Sequence, residues 1–212
     1  MRRYILLFLT LPILPHIVSA QPYPKYELYL NGGVSQPYYP TYLEDNWRWG
    51  FNGGVGLGYR LRPQLVLDGS VNFHFFRFDD VGYYNRLVET GYITTVDGKP
   101  SWVAAVTGGA RYFLNLSSDD DTFLFFSGGI GVQQIHLGEI RVQYQSFEEG
   151  LVREDVSASR TNLGFQFHFG AGIDFVSSEN RSYYFEVRYV IGFLGDYNSH
   201  FLPVKVGIRQ IL

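Results

Sequence analysis

The sequence predicts an all-β fold, an eight-stranded antiparallel up-and-down transmembrane β-barrel, from three observations. Eight segments alternate apolar residues with polar residues or glycine at a period of two, as strands with one apolar face do. The connections between these segments are mostly long and short in turn. The chain contains 24 glycines and 18% aromatic residues, and after its N-terminus it has no apolar run long enough for a membrane helix.

Residues 1–20 have the layout of a secretory signal peptide. Two arginines follow Met1, an apolar run follows the arginines, and small residues end at Ala20. The apolar run is short for a membrane anchor and contains two prolines, which favours cleavage over retention. We therefore divide the chain into a signal peptide, residues 1–20, and an outer-membrane β-barrel domain, residues 21–212, that is exported through the general secretory pathway.

The charge of the exported chain limits its partners. Without the signal peptide it has 15 lysines and arginines against 20 aspartates and glutamates, a formal charge of −5. Such a chain is a poor ligand for nucleic acid, which attracts basic proteins. The chain has no cysteine, so no disulfide stabilises it. Its stability must come from a large hydrogen-bonded structure or a sizeable core, and one domain is enough for that.

Each strand segment has apolar residues at every second position, with polar residues or glycine between them. Phe123 and Phe125 depart slightly from this phase in their segment. The predicted strands are residues 26–35, 47–61, 65–75, 102–114, 123–135, 163–175, 183–193 and 202–209.

Turn-forming residues separate the strands. Pro63, for example, presets φ for a tight turn and cannot donate to a strand ladder. Bacterial outer-membrane barrels have short periplasmic turns and longer extracellular loops. We therefore expect loops 79–101 and 138–159 to be extracellular, and the local alternation within 138–159 indicates a hairpin that extends beyond the membrane. The short turns are 62–64, 115–122 and 177–181, and the other loops are 36–46 and 195–201.

Residue types decide which face of the barrel meets lipid. A soluble barrel such as a lipocalin shows the same alternation with its faces reversed. Here the polar face is rich in glycine, which suits the narrow interior of an eight-stranded barrel better than a solvated surface. The apolar face has aromatic residues near the strand ends, as expected of membrane girdles: Tyr26, Trp47, Trp49, Tyr59, Trp102, Tyr112 and Tyr183.

In these patterns the chain resembles the small eight-stranded outer-membrane barrels of Gram-negative bacteria, the family of the outer-membrane protein A transmembrane domain and outer-membrane protein X. The resemblance covers the whole exported chain but includes no diagnostic motif. It implies a porin-like transmembrane barrel of the cell envelope. The chain departs from the family at its end, Gln210-Ile211-Leu212, where members commonly have an aromatic residue that the insertion machinery reads.

The polar face is predicted to place a charge network in the barrel lumen. Its four acids and six bases nearly balance, as a narrow interior requires when unpaired charge is costly. Hairpin geometry pairs Arg60 with Asp68 and Glu186 with Arg209, and barrel closure brings Glu27 towards Arg209 and Lys205. We expect ion pairs to fill the lumen. The ten residues are Glu27, Arg48, Arg60, Asp68, Arg111, Asp174, Glu186, Arg188, Lys205 and Arg209.

Candidates for catalysis are few. Some small barrels of this architecture trim or acylate lipid A with a serine, a histidine and an acid near the outer rim. Asn198-Ser199-His200 with Asp196 could supply these groups, but a polar turn is the favoured interpretation.

Candidates for metal binding are also weak. His74 and His168 are both expected to face inward, but they lack a third ligand at a suitable spacing. Asp119-Asp120-Asp121 lacks the spacing of a calcium loop. The sequence therefore predicts no catalytic residue, no cofactor and no metal site.

The function predicted is that of a non-enzymatic, monomeric outer-membrane protein. Loops 79–101 and 138–159 would meet outer-membrane lipid and lipopolysaccharide, another protein or a host surface, for surface interaction or envelope integrity. One alternative is a lipid A-modifying enzyme that uses Ser199 and His200, and another is a small pore or an accessory barrel of a secretion apparatus.

Overall fold

The computed structural model describes residues 26–39, 41–88, 93–115, 121–145, 152–195 and 197–212. Eight long antiparallel strands form a closed barrel, which confirms the predicted fold class. The barrel strands are β1 (Tyr26–Tyr39), β2 (Gly50–Arg62), β3 (Leu65–Phe76), β5 (Ser101–Asn115), β6 (Thr122–Leu137), β9 (Arg160–Ser178), β10 (Arg181–Phe193) and β11 (Asn198–Ile211). Between them lie helices α1 (Thr41–Asn46) and α2 (Asp80–Val88) and the short strands β4 (Ile93–Gly98), β7 (Ile140–Gln145) and β8 (Val152–Ser157).

The first and last strands close the barrel. β1 pairs with β11 in continuous register from Glu27 opposite Ile211 to Pro37 opposite Phe201. β1 also pairs with β2 on its other side, so each of the eight strands has two hydrogen-bonded neighbours. A closed barrel leaves no strand edge unpaired, which is the condition for strands to span a bilayer.

The two faces of the strands are those that the alternation predicts. On β9, for example, Phe165 and Phe167 are exposed, whereas Gln166 and His168 between them are buried. On this strand the phenylalanines point away from the barrel axis, and the polar residues between them point towards it. No helix among the described residues is long and apolar enough to cross a membrane.

The long connections form a folded cap at one end of the barrel. Residues 79–101, predicted only as a loop, contain a helix and a strand of this cap. We use "cap" for the described residues of 41–49, 77–100 and 138–159. Strands β4, β7 and β8 make a separate sheet in the order β4-β7-β8. Helix α2 contacts β4, and α1 contacts α2 and β1. The expected hairpin within 138–159 exists as β7 and β8, which keep the register of the β6–β9 ladder after a break of two residues on each strand. In the cap, β7 also pairs with β4.

Trp47 corrects two predictions about the second strand. β2 begins at Gly50, and Trp47 instead forms an isolated bridge with Phe78 in the cap. Its side chain is 1% exposed and its ring lies edge-on to Phe78 at 5.5 Å, so it is not part of a lipid-facing girdle. The alternation in the sequence continues back to Trp47, but the strand does not extend beyond Gly50.

Candidate functional site

The interior of the barrel is filled from the cap end by an apolar cluster. Phe76, Val103, Ile135, Val190 and Phe201 point inward from five barrel strands, and all are buried. The cap covers them with a second layer of buried side chains. That layer consists of the cap residues Trp47, Phe78, Ile140 and Val142, together with Leu137 at the end of β6 and Leu194 directly after β10.

Phe201 links this cluster to the polar residues beneath it. Its ring centroid lies 6.1 Å from that of Phe76 and 4.7 Å from that of His74. His74 is buried and its Nδ1 shares a hydrogen bond of 2.8 Å with Ser35 Oγ. Sequence analysis missed the cluster, although the apolar residues at inward positions near the strand ends, such as Phe76 and Val103, were a usable signal.

At the end with short turns the lumen contains a group of ion pairs, the Arg209 group, made of Glu27, Arg60, Asp174 and Arg209. Arg209 Nη2 lies 2.8 Å from Asp174 Oδ1, and its Nη1 lies 3.4 Å from Glu27 Oε1. Arg60 Nε donates to the same Glu27 oxygen at 2.7 Å. Each acid thus has a guanidinium partner, and Tyr29 also donates its hydroxyl proton to Glu27.

Nearer the middle lies the Arg111 group, made of Asp68, Arg111, Glu186 and Arg188. Arg111 Nε donates to Asp68 at 2.8 Å, and its Nη2 lies 3.9 Å from Glu186 Oε2. Arg188 Nε donates to Glu186 Oε1 at 2.7 Å, and Ser127 Oγ donates to the same oxygen at 2.7 Å. All these acids and bases are buried or nearly so.

Aromatic rings surround the Arg111 guanidinium. Its carbon lies 4.1 Å from the ring centroid of Tyr29, 5.3 Å from that of Tyr184 and 5.4 Å from that of Phe125. A guanidinium within about 6 Å of a ring face is attracted by the ring quadrupole. The rings therefore stabilise a buried cation that two carboxylates already neutralise in part.

Inward glycines make room for these large side chains. A Cβ at Gly172 would lie 2.4 Å from Phe125 Cζ, and one at Gly207 would lie 2.5 Å from Tyr184 Cζ. The rings thus occupy the space that side chains on the neighbouring strands would need. This explains part of the glycine content of the polar face without any bound phosphate.

The structure places nine of the ten predicted lumen charges inside the barrel. Arg48 is the exception: it precedes β2, its side chain is 61% exposed, and its Nη2 lies 2.7 Å from Asp79 Oδ1 in the cap. Burial raises the pKa of Asp79, but hydrogen bonds from Arg48 and from the Gly82 N–H outweigh it, and the pKa lies below its usual value. The ion pair is thus part of the cap.

Two of the predicted pairings are wrong. Arg60 bonds Glu27 rather than Asp68, and Arg209 bonds Asp174 and Glu27 rather than Glu186. The expected approach of Glu27 to Arg209 is present. Lys205 is buried and donates to Asn72 Oδ1 at 2.6 Å.

The candidate catalytic residues do not assemble. Asn198–His200 begins β11 and is not a loop, so Ser199 and His200 point to opposite faces of the sheet. Ser199 Oγ accepts from Gln133 inside the barrel, whereas His200 Nδ1 shares a hydrogen bond with Tyr189 on the outside. Asp196, Asp119 and Asp120 lie outside the described residues.

The two inward histidines also remain apart from any third ligand. His74 and His168 are both buried in the barrel. In the part of the chain that the structure describes, no three His, Cys, Asp or Glu side chains are arranged to hold a metal ion.

A cavity of about 480 Å³ opens at the end of the barrel with short turns. Arg60, Arg209 and Phe113 form its floor, with both guanidinium carbons within 5.5 Å of the Phe113 ring centroid. The Arg209 group thus separates this vestibule from the middle of the barrel. At the other end the apolar cluster lies beneath the cap.

Comparison with known families and proteins agrees with this architecture. The family model described as "Outer membrane protein beta-barrel domain" matches residues 10–209. Comparison with curated protein sequences finds no match.

Solved structures of similar fold have low sequence identity to this chain. Neisserial surface protein A is 12% identical, with a TM-score of 0.53 over 88% of this chain and 97% of that one. The attachment invasion locus protein Ail of Yersinia pestis is 15% identical, with a TM-score of 0.49 over 88% and 98% of the two chains. The N-terminal β-barrel domain of Pseudomonas aeruginosa OprF is 11% identical, with a TM-score of 0.44 over 88% and 97%.

Proposed function

Because the chain belongs to the family of outer membrane protein β-barrel domains, a family of the bacterial outer membrane, we propose that it is a non-enzymatic, non-conducting barrel that presents its cap to partners outside the cell. Barrels of this kind have short periplasmic turns and long extracellular loops. The cap, which the long connections form, then lies outside the cell. The vestibule faces the periplasm.

The observation that carries the proposal is the filled interior beneath an ordered cap. Water and ions would have to pass both the Arg209 group and the apolar cluster that contains Phe201 and Trp47. Hydrophobic constrictions exclude water, and paired charges leave few free groups to line a pore. The filled interior favours a surface role over a channel.

Hydrogen bonds join the connections of the cap to one another. Asp79 N donates to Asn46 O at 2.8 Å, and Lys99 N donates to Glu139 O at 2.8 Å. Trp47 Nε1 donates to Lys99 O at 3.3 Å. All three connections are therefore held in one arrangement, which reduces the entropic cost of binding a partner.

The cap offers β8 as an exposed strand at the edge of its sheet. Among the described strands, β8 pairs only with β7. Glu154 and Val156, two residues apart on the same face of β8, are both exposed, and Val156 is 52% exposed. An exposed edge strand with an apolar residue among charged ones is suited to binding a protein partner outside the cell, because a strand of the partner can pair with the edge.

The remaining features of the proposal concern the envelope. We propose that residues 1–20 are removed during export through the general secretory pathway and that the barrel acts as a monomer. The outward face would contact membrane lipid and lipopolysaccharide. These features are consistent with the apolar outward face and with the absence of a free barrel edge among the described strands.

The proposal is tested by adhesion. Bacteria that make the protein should adhere to immobilised extracellular proteins or to cultured host cells more than bacteria that lack it. The double variant Glu154→Lys, Val156→Lys should reduce this adhesion several-fold because it changes the charge and removes the apolar side chain on the edge strand that the partner would contact. The variant should fold normally because both side chains are exposed. Glu179→Lys, at an exposed periplasmic turn, is the matched control and should leave adhesion unchanged. Equal adhesion with and without the protein on every surface would contradict a role for the cap in binding.

A further inference from the structure

The outward face of the barrel carries ionisable side chains only at its ends. In the described strands no outward position between the two rims is Asp, Glu, Lys or Arg. At the extracellular rim, however, His136 and His200 face outward, and Arg77 follows directly after the last residue of β3. None of the outward strand positions at this rim carries a carboxylate. The rim is therefore basic where the apolar band ends.

A row of aromatic side chains marks this boundary on one side of the barrel. Strand register aligns Phe51 with Phe75, Phe75 with Trp102, and Trp102 with His136. The Trp102 ring stacks on His136 with centroids 5.4 Å apart. Aromatic residues of this kind lie at the level of lipid headgroups.

Arg77 and His136 lie on either side of Trp102. Arg77 is exposed and lies two residues beyond Phe75, the register partner of Trp102. Its side chain has no ion-pair or hydrogen-bond partner among the described residues. By contrast the neighbouring Arg48 is paired with Asp79. Arg77 is thus a guanidinium at this rim that is available to a ligand.

His136 is held in place by its neighbours. Its Nδ1 shares a hydrogen bond of 2.9 Å with Thr161 Oγ1, and its ring is fixed against Trp102. When the Thr161 hydroxyl donates to Nδ1, the proton of the imidazole is on Nε2. The imidazole can then donate a hydrogen bond from Nε2 on the same outward face as Arg77.

We infer that Arg77, His136 and Trp102 form a binding site for a phosphoryl group of lipopolysaccharide in the outer leaflet. Arg77 supplies the positive charge and a forked set of donors that fits phosphate oxygens. His136 supplies a second donor, and Trp102 provides an apolar surface for the sugar and acyl chains next to the phosphate. The inference uses the outer-membrane location of the chain and does not depend on what the cap binds.

The test is binding of purified lipid A to the full-length exported protein in detergent, measured by native mass spectrometry. Bis-phosphorylated lipid A should bind, and lipid A without its phosphates should bind about tenfold more weakly. Arg77→Gln should also weaken binding of the bis-phosphorylated form about tenfold, and adding His136→Gln should weaken it further. Arg62→Gln, an exposed arginine at the periplasmic rim, is the matched control and should bind as the unmutated protein does.

Three results would overturn the inference. One is equal affinity of the unmutated protein and the Arg77→Gln, His136→Gln variant; another is equal loss in Arg62→Gln. The third is displacement of lipid A by inorganic phosphate at millimolar concentration, which would indicate a site for free phosphate and not for lipid. Because Arg77 is exposed and His136 is half-exposed, heat-modifiable migration on a gel should show that every variant is folded.

Discussion

Replacing Phe201 with alanine will lower the free energy of unfolding by about 3–5 kcal/mol, the range for removing a buried phenyl ring. Phe201 is 0% exposed and contacts Phe76 and His74 at the centre of the apolar cluster. The change removes apolar contacts and also leaves a cavity that rigid neighbouring strands cannot close. Urea unfolding of the protein refolded into lipid vesicles measures the loss.

Phe51→Ala is the matched control for this prediction. Phe51 lies on the outward face near the extracellular rim and is 74% exposed. Its removal leaves no cavity, so we expect a loss below about 1.5 kcal/mol, the low end for transfer of a large apolar side chain. A loss at Phe201 no larger than the loss at Phe51 would show that the apolar cluster is not packed as described.

Breaking the ion pair between Arg209 and Asp174 will also have a large effect. Either Arg209→Gln or Asp174→Asn alone leaves a buried partner charge, which typically costs about 3–5 kcal/mol, and less where water enters from the vestibule. Once one partner is gone, removing the other should cost less. A double-mutant cycle should therefore give a coupling energy of about 1–3 kcal/mol.

The matched control is the cycle on Arg209→Gln and Glu186→Gln. These two residues are not in contact, because Arg209 lies opposite Ser182 and Glu186 lies opposite Lys205 in the β10–β11 register. Their effects should add to within about 0.5 kcal/mol. Coupling that is stronger for Glu186 than for Asp174 would contradict the arrangement of the two ion-pair groups.

The faces of the strands could be predicted from the sequence in two steps. Successive side chains of a strand alternate between its two faces, which separates Glu27 and Asp174 from Phe165. The glycine-rich polar face then indicates which set lies inside, and the structure places Glu27 and Asp174 inside and Phe165 outside. The number of strands followed from the same pattern, since turn residues such as Pro63 mark where each run ends.

The ion-pair partners could not be predicted, because partners depend on register and on contacts across the lumen. The prediction pairs Arg60 with Asp68 across the β2–β3 hairpin, but β2 also pairs with β1. Gly58 opposite Glu27 leaves space for Arg60 to reach the Glu27 carboxylate instead. The predicted pair of Glu186 with Arg209 is wrong because the chain reverses between Phe193 and Asn198, earlier than the prediction assumes, and this register places Lys205 opposite Glu186.

The packing of the cap could not be predicted from the sequence, because it joins segments that are distant in the chain. Trp47 and Phe78 meet through a single bridge, and β4 pairs with β7 more than 40 residues later. No local period indicates such contacts. The alternation that continues to Trp47 even pointed to the wrong face, because the cap and not the strand ladder determines its position.

Bilayer recording of the unmutated protein tests most directly the central claim, that the lumen of the barrel is blocked and does not conduct ions. The protein is purified from outer membranes and inserted into planar bilayers in molar potassium chloride. With the apolar cluster at one end and the Arg209 group at the other, we predict that insertions give no steady conductance. Long-lived conductance steps of uniform size in most insertions would contradict a blocked lumen and would favour a small pore.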